Sequence, residues 1–211
     1  LLHRLNAIPS PKGLREAIEN ACETLTLITP PDRKACDIGA TTVHSFLGQF
    51  VGATEHTHRL LALGAVACQR DDFRPGVEMP PELWWWLGPQ AESFYQGIDI
   101  GLSGGPKSRS YPESGVVVVR DHWERAASWC LLRGSPKASL LEMSPPAPAS
   151  IPLHDDALHL SLCLAGESVL VEPGGPELTH LIQPDFARIT AHSAPRVVRE
   201  REPLCHDRVT Q

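Results

Sequence analysis

The apolar residues change their spacing near the middle of the chain, and this change limits the folds that the sequence can form. Before about residue 100 they recur every three or four positions, as in amphipathic helices. After residue 110 the periods are those of β-strands, with a Gly- and Ser-rich stretch over 97–112 between the two regions. Helices followed by strands predict an α+β layout or two domains, and not alternating α/β units.

Three helical regions are predicted in the first half of the chain. The first begins at Ser10–Pro11 and ends before Pro30–Pro31, because Ser and Pro suit a helix start and a second proline stops the helix. The second covers 43–70, with a break near Gly52. The third, short helix opens at Pro80 and carries three consecutive tryptophans. Predicted strands cover 116–120, 128–132, 140–143, 187–191 and 196–199.

The stretch His154–Gly175 predicts a β-hairpin. Leucines at every second position from 158 to 164 alternate with His159, Ser161 and Cys163, as in a strand with one buried face. Residues 165–168 predict the turn, and 169–171 the return strand. The open end of this hairpin would carry His154, Asp156 and Glu172, so it is the first place to look for chemistry.

Imidazole and carboxylate groups at that end suit a divalent metal. His154, Glu172 and the later His192 offer nitrogen and oxygen ligands of the kind that zinc accepts, and Asp156 is a further carboxylate. The alternative from spacing alone is structural: His154 and Asp156 would cap a strand, and Glu172 would be solvated. The six cysteines form no Cys-x-x-Cys pair, so they predict no zinc knuckle.

Other polar and aromatic motifs have simpler interpretations. Trp84, Trp85 and Trp86 could stack on sugar rings, but adjacent residues of a helix point in different directions, so core packing plus one rim residue is favoured. Glu55 with His56 and His58 predicts a solvated helix entry, since residues two apart do not share a helix face. The stretch 103–108 lacks the spacing of a phosphate-binding loop.

Composition excludes some partners. The net charge is -6, which argues against nucleic-acid binding. No run of about 18 apolar residues occurs, so no membrane span is expected. The first residue is Leu1, and the opening residues do not form a signal peptide. We therefore expect the chain to be a piece of a longer protein.

Several segments resemble the heparinase II/III-like polysaccharide lyases. The family's His-Gly-His-Ala-Asp-Ala-Leu-Ser run, followed by a strand, a turn and Leu-Leu-Val-Asp-Pro-Gly, is similar to the hairpin at 154–174. The first sheet strand of the family is similar to 111–121, and its Phe-Arg-Ser-Thr-Arg-Ala-His-Asn segment to 186–193. The tryptophan helix looks like the one that closes the family's helical domain, and Asp37–Gly39 resembles its Ile-Gly-Asp loop.

The resemblance implies a fold, a reaction and partners. The fold would be the last helices of an α/α toroid (1–100), a linker (101–110) and an antiparallel β-sandwich (111–211). The family cleaves acidic, uronate-containing polysaccharides by β-elimination, in the bacterial periplasm or cytoplasm. Carried onto this chain, the ligands of a structural zinc would be His154, Glu172 and His192, and we assign substrate binding to Asp156 and Trp85.

The sequence departs from the family at several positions, and these departures leave alternatives open. Pro152 replaces the first histidine of the hairpin motif, Glu172 replaces an aspartate, and no tyrosine lies between Gly174 and Phe186. Ala40 and Ser193 replace an expected Asp and Asn. We expect a polysaccharide lyase for the full-length protein and no activity for this chain alone. A catalytically inactive carbohydrate-binding member and a purely structural module are the alternatives.

Overall fold

The computed structural model describes residues 11–34, 53–99, 101–102, 107–134, 158–171 and 193–194. Within these ranges the helices come first and the main sheet follows, as the change in spacing predicts. The helices are α1 (Leu14–Ile28), α2 (Ala53–Cys68), α3 (Pro81–Leu87) and α4 (Gln90–Gly97). The strands are β1 (Phe73–Arg74), β2 (Gly101–Leu102), β3 (Arg109–Tyr111), β4 (Val116–Arg120), β5 (Trp129–Arg133), β6 (His159–Leu164) and β7 (Glu167–Leu170). The protein is therefore mixed α+β in the part that is described.

Two boundaries differ from the sequence predictions. Helix α1 is capped by Gly13 and begins at Leu14, later than the Ser10–Pro11 start. Short strands β2 and β3 lie inside the stretch predicted as a linker, and β2 pairs with β1 in an antiparallel two-stranded sheet. Strands of two or three residues are too short to show a period in the sequence, which is why the pattern did not indicate them. The predicted strands at 140–143, 187–191 and 196–199 lie outside the described residues.

Helix α2 packs between two apolar clusters and so organises the helical part. On one side Leu61, Ala65 and Cys68 contact Cys22 of α1 and Phe73. On the other side Ala62 and Val66 contact residues of α3 and α4, among them Leu83, Ala91 and Tyr95. Leu60 stays exposed. The second half of α2 is therefore buried over much of its surface. No described helix is both long and apolar enough to cross a membrane.

The main sheet is antiparallel, with five strands in the order β3-β4-β5-β6-β7. The predicted hairpin is present, with β6 and β7 joined by a turn at Ala165–Gly166. Its buried face carries His159, Ser161 and Cys163, while Leu158 and Leu164 are exposed. On this polar face Cys163 packs in a cluster with Leu27 of α1, and His159 accepts a hydrogen bond from Ser193.

The end of α1 joins the helices to the sheet. Leu27 packs among buried residues of β4, β5 and β6, including Val118, Trp129 and Leu131. The indole N–H of Trp129 donates to the Leu27 carbonyl at 3.1 Å, and the Arg120 guanidinium donates to the Thr29 carbonyl. Carbonyls at a helix C-terminus have no partner within the helix, so these donors stabilise both the helix end and the junction.

Candidate functional site

The predicted hairpin site lies mostly outside the described residues. This applies to the metal ligands His154, Glu172 and His192 and to the substrate residue Asp156. Zinc binding there therefore stays a prediction. Among the residues that are described, no group of three or more His, Cys, Asp or Glu side chains is arranged to hold a metal ion.

The described part of the hairpin's open end is a small polar cluster around His159. The backbone N–H of Ser193 donates to His159 Nδ1 at 3.1 Å, and the Leu160 N–H donates to the Ser193 carbonyl at 3.0 Å. Because Nδ1 accepts, the neutral ring carries its proton on Nε2, which lies 3.0 Å from Ser161 Oγ. His159 therefore donates to Ser161 and does not act as a base toward it. The contact also places the residue after His192 beside the first residues of β6.

Trp85 lies on α3 and is exposed, as a substrate-binding residue would have to be. Its side chain is 55% exposed and that of Trp84 is 49% exposed, while Trp86 is partly buried. The prediction that at least one of the three belongs to the core is wrong. Leu83 takes the buried position of this seven-residue helix instead. The tryptophans are thus available at the surface.

A cleft of about 540 Å³ lies between α2 and the segment that leads into α3. Its volume is in the range of small-molecule sites. Glu55, His58 and Arg59 line it from α2, and residues 77–81 line the opposite side. The interpretation of the Glu55–His58 stretch as a solvated helix entry missed this arrangement. The spacing of Glu55, His58 and Arg59 at i, i+3 and i+4 places them on one helix face and could have indicated it.

Charges in the cleft are paired around Arg59. Its guanidinium makes ion pairs with Glu55 and with Glu82. Glu82 is buried, and one of its carboxylate oxygens, Oε2, has no partner within the ranges that the structure describes. Glu78 adds a further carboxylate to the lining. The lining thus carries two carboxylates, Glu55 and Glu78, against one arginine, so the cleft is negative and does not complement an acidic sugar.

His58 is the proton acceptor of the cleft. Its Nε2 lies 2.8 Å from the carbonyl oxygen of Arg33, and because a carbonyl only accepts, Nε2 carries the proton. Burial lowers the pKa of His58, which keeps the ring neutral near pH 7. The Nδ1 lone pair of the neutral ring can then accept a proton from a ligand in the cleft.

The pKa of His58 should be measurable by following its ring resonances in an NMR titration. We expect the His58 pKa to lie below the ordinary histidine value, because burial disfavours the charged ring. The unfolded chain then binds the proton at higher pH than the folded chain. The free energy of unfolding is therefore highest above the ordinary histidine pKa and falls as the pH drops below that value.

The change His58→Gln should remove that part of the pH dependence of stability, and His56→Gln on the same helix is the matched control. If both variants kept the wild-type pH dependence, or if the His58 pKa lay at or above its ordinary value, the assignment of a neutral, carbonyl-bound ring would be wrong.

Of the comparisons with known proteins, only the one with solved structures bears on the fold. No family model and no curated protein matches the sequence. The chain is similar to the crystal structure of heparan sulfate lyase HepC from Pedobacter heparinus, with a TM-score of 0.51 and 16% identity over 82% of this chain and 22% of that one. A mutant of the same lyase gives a TM-score of 0.55 and 15% identity over 90% of this chain and 25% of that one. The chain thus spans about a quarter of the structures it matches, and at this identity the likeness shows a shared fold and a distant relationship at most.

Proposed function

We propose that this chain is the C-terminal part of a heparinase II/III-like polysaccharide lyase that cleaves uronate-containing polysaccharide by β-elimination. The observation that carries the proposal is the match to a heparan sulfate lyase over both the helices and the sheet, covering 82% and 90% of this chain. The hairpin motif at 154–174 supports it independently, because that resemblance rests on residue identities and not on shape.

The reaction sets requirements that the described residues meet only in part. A base removes the proton at C5 of the uronate, an acid assists the leaving oxygen at C4, and positive or polar groups neutralise the carboxylate so that C5 becomes acidic enough. His58 can serve as a proton acceptor, but the negative cleft around it does not attract a uronate. The groups that contact the acidic chain therefore have to lie elsewhere, at the hairpin end, at the junction of helices and sheet, or in the rest of the full-length protein.

The proposal includes a β-sandwich built on the main sheet. The face turned away from α1 carries apolar side chains that are at least one-third exposed, among them Val117 (37%), Val119 (51%), Leu132 (38%) and Leu164 (49%). Register places Val117 opposite Leu132 on this face. An apolar face of this extent is typical of a sheet that packs against a second sheet.

The proposal also keeps the structural zinc, with His154, Glu172 and His192 as ligands. Two imidazoles and a carboxylate form a donor set that zinc accepts, and the contact of Ser193 with His159 supports bringing the three segments together. The test is elemental analysis of the full-length protein. About one zinc per chain, lost in His154→Ala, is the expected result. An intact, folded protein without zinc would contradict it.

A catalytically inactive carbohydrate-binding protein is the second candidate. It is favoured by Pro152, by Glu172 and by the absence of tyrosine between Gly174 and Phe186, all at the end of the hairpin where the family carries catalytic and metal-binding groups. Such a protein would bind acidic polysaccharide without turning it over.

One set of measurements separates the candidates. The full-length protein is incubated with heparan sulfate, alginate, hyaluronan and chondroitin sulfate, and ultraviolet absorbance reports the C4–C5 double bond of an unsaturated uronate. We expect absorbance to rise with at least one substrate. If none gives a product but the protein is retained on an acidic saccharide gel, the inactive binding protein is the correct candidate. If it does neither, both proposals fail and the structural module remains.

A further inference from the structure

Three arginines converge where the end of α1 meets the sheet. Arg33 follows α1, Arg120 ends β4, and Arg125 lies in the loop between β4 and β5. Together with Thr26 and Thr29 they line a small cavity of about 10 Å³. The three arginines are far apart in sequence and meet only because α1 packs on the sheet, so the fold creates this concentration of positive charge.

The positive charge at this junction is only partly offset, since Asp121 raises the pKa of Arg120 by less than burial lowers it. Among the described residues, no carboxylate lies within ion-pair distance of Arg33, Arg120 or Arg125. Burial lowers the pKa of Arg120 to about 10, and burial together with the charge of Arg125 lowers the pKa of Arg33. Bringing like charges together without a carboxylate at ion-pair distance is costly, and an anion would reduce the cost.

Unused hydrogen-bonding groups also face this cavity. Arg120 is only 6% exposed, and its Nε has no partner among the described residues, although another of its nitrogens donates to Thr29. The buried hydroxyl of Thr26 also has no partner in the described part of the chain. The Arg120 guanidinium lies 4.6 Å from the centre of the Trp123 ring, which fixes its orientation. The cavity is thus lined by an oriented arginine whose Nε–H has no acceptor among the described residues. Buried donors of this kind normally have a partner.

We propose that Arg33, Arg120 and Arg125 form a receptor for one oxyanion group, the sulfate or carboxylate of an acidic saccharide. Arginine is the side chain best suited to such groups, because its planar donors match their oxygens. The cavity has room for about one water-sized atom. One oxygen of the anion would therefore enter and approach Arg120 and Thr26, while the rest of the group stays at the mouth beside the exposed Arg125. The choice of a saccharide as the source rests on the proposed function, whereas the oxyanion chemistry does not.

Binding of inorganic sulfate and of a heparan sulfate tetrasaccharide to the full chain tests the receptor, by calorimetry at constant ionic strength. Arg125→Gln is the variant of choice, because Arg125 is exposed and its loss should not disturb folding. Arg15→Gln is the matched control: it removes the same charge from an exposed arginine at the start of α1. We expect Arg125→Gln to weaken binding of both probes by about tenfold or more, and Arg15→Gln to change it by less than about twofold.

Each other outcome overturns part or all of the receptor. Binding of sulfate without binding of the tetrasaccharide would overturn the saccharide as the source of the anion. Equal weakening in the two variants would show general charge attraction and overturn the receptor itself. Absence of saturable binding would also overturn the receptor and would leave a buried water as the occupant of the cavity. A negative lyase assay would not affect these results, so the failure of one proposal can be told from the failure of the other.

Discussion

Replacing Trp129 with alanine is expected to lower the free energy of unfolding by about 3–5 kcal/mol. Trp129 is 2% exposed and lies in the cluster where Leu27 of α1 meets β4, β5 and β6. Truncation removes that packing and also the hydrogen bond from the indole to the Leu27 carbonyl. The effect should be large because Trp129 both fills the core of the sheet and joins the helices to it.

Denaturant unfolding of two further variants separates these contributions. Trp129→Phe keeps much of the ring but loses the N–H, so it should cost less, about 1–3 kcal/mol, mainly for the unpaired Leu27 carbonyl. Trp84→Ala removes a tryptophan that is 49% exposed and should cost no more than about 0.5 kcal/mol. If Trp129→Ala cost no more than Trp84→Ala, the packing of α1 on the sheet would be wrong.

Replacing Gly166 with alanine is expected to lower the free energy of unfolding by more than about 2 kcal/mol, because backbone strain and a steric clash add up. Gly166 has φ +84° in the turn between β6 and β7, a conformation that favours glycine. A Cβ there would lie 2.4 Å from the carbonyl oxygen of Arg125 and 3.2 Å from the Cα of Ala126. Because these are backbone atoms, the clash can be relieved only by moving the loop that carries Arg125.

Gly13→Ala provides the control for backbone strain. Gly13 has φ +80°, almost the same conformation, but a Cβ there meets nothing within 4 Å. We expect Gly13→Ala to lower the free energy of unfolding by only about 1–2 kcal/mol. The difference between the two variants measures the clash with the 125–126 backbone, and Gly166→Ala should also weaken sulfate binding by displacing Arg125. Equal costs for both variants would show that the hairpin turn does not approach that loop.

The sequence predicts most elements of this fold because their signals are local. The apolar spacing of α1, the valines of β4 and the alternation along β6 each depend on a few neighbouring residues. It does not predict which face of β6 is buried. The leucine face is the more apolar, but the face of His159, Ser161 and Cys163 is the buried one. Cys163 packs with Leu27 of α1 and His159 bonds with Ser193, so the choice depends on packing between distant segments.

Of the candidate sites, too, one depends on local spacing that the sequence shows, and another depends on packing that it does not show. The sequence could have predicted the cleft of Glu55, His58 and Arg59, since their spacing alone places these residues on one helix face. The arginine cavity could not be predicted from the sequence, because Arg33 and Arg120 come together only through the docking of α1 on the sheet. The hairpin residues His154, Asp156, Glu172 and His192 lie outside the described residues and remain predictions from the sequence.

The lyase activity proposed for the full-length protein is tested most directly by mass spectrometry of a heparan sulfate digest. β-Elimination breaks the C4–O bond without adding water, so each cut should leave one fragment with an unsaturated uronate, and the fragment masses should sum to the mass of the starting chain. We expect such fragments. Fragments that together contain one added water for each cut would show hydrolysis, and a chain of unchanged mass would show no cleavage; either result would contradict the claim.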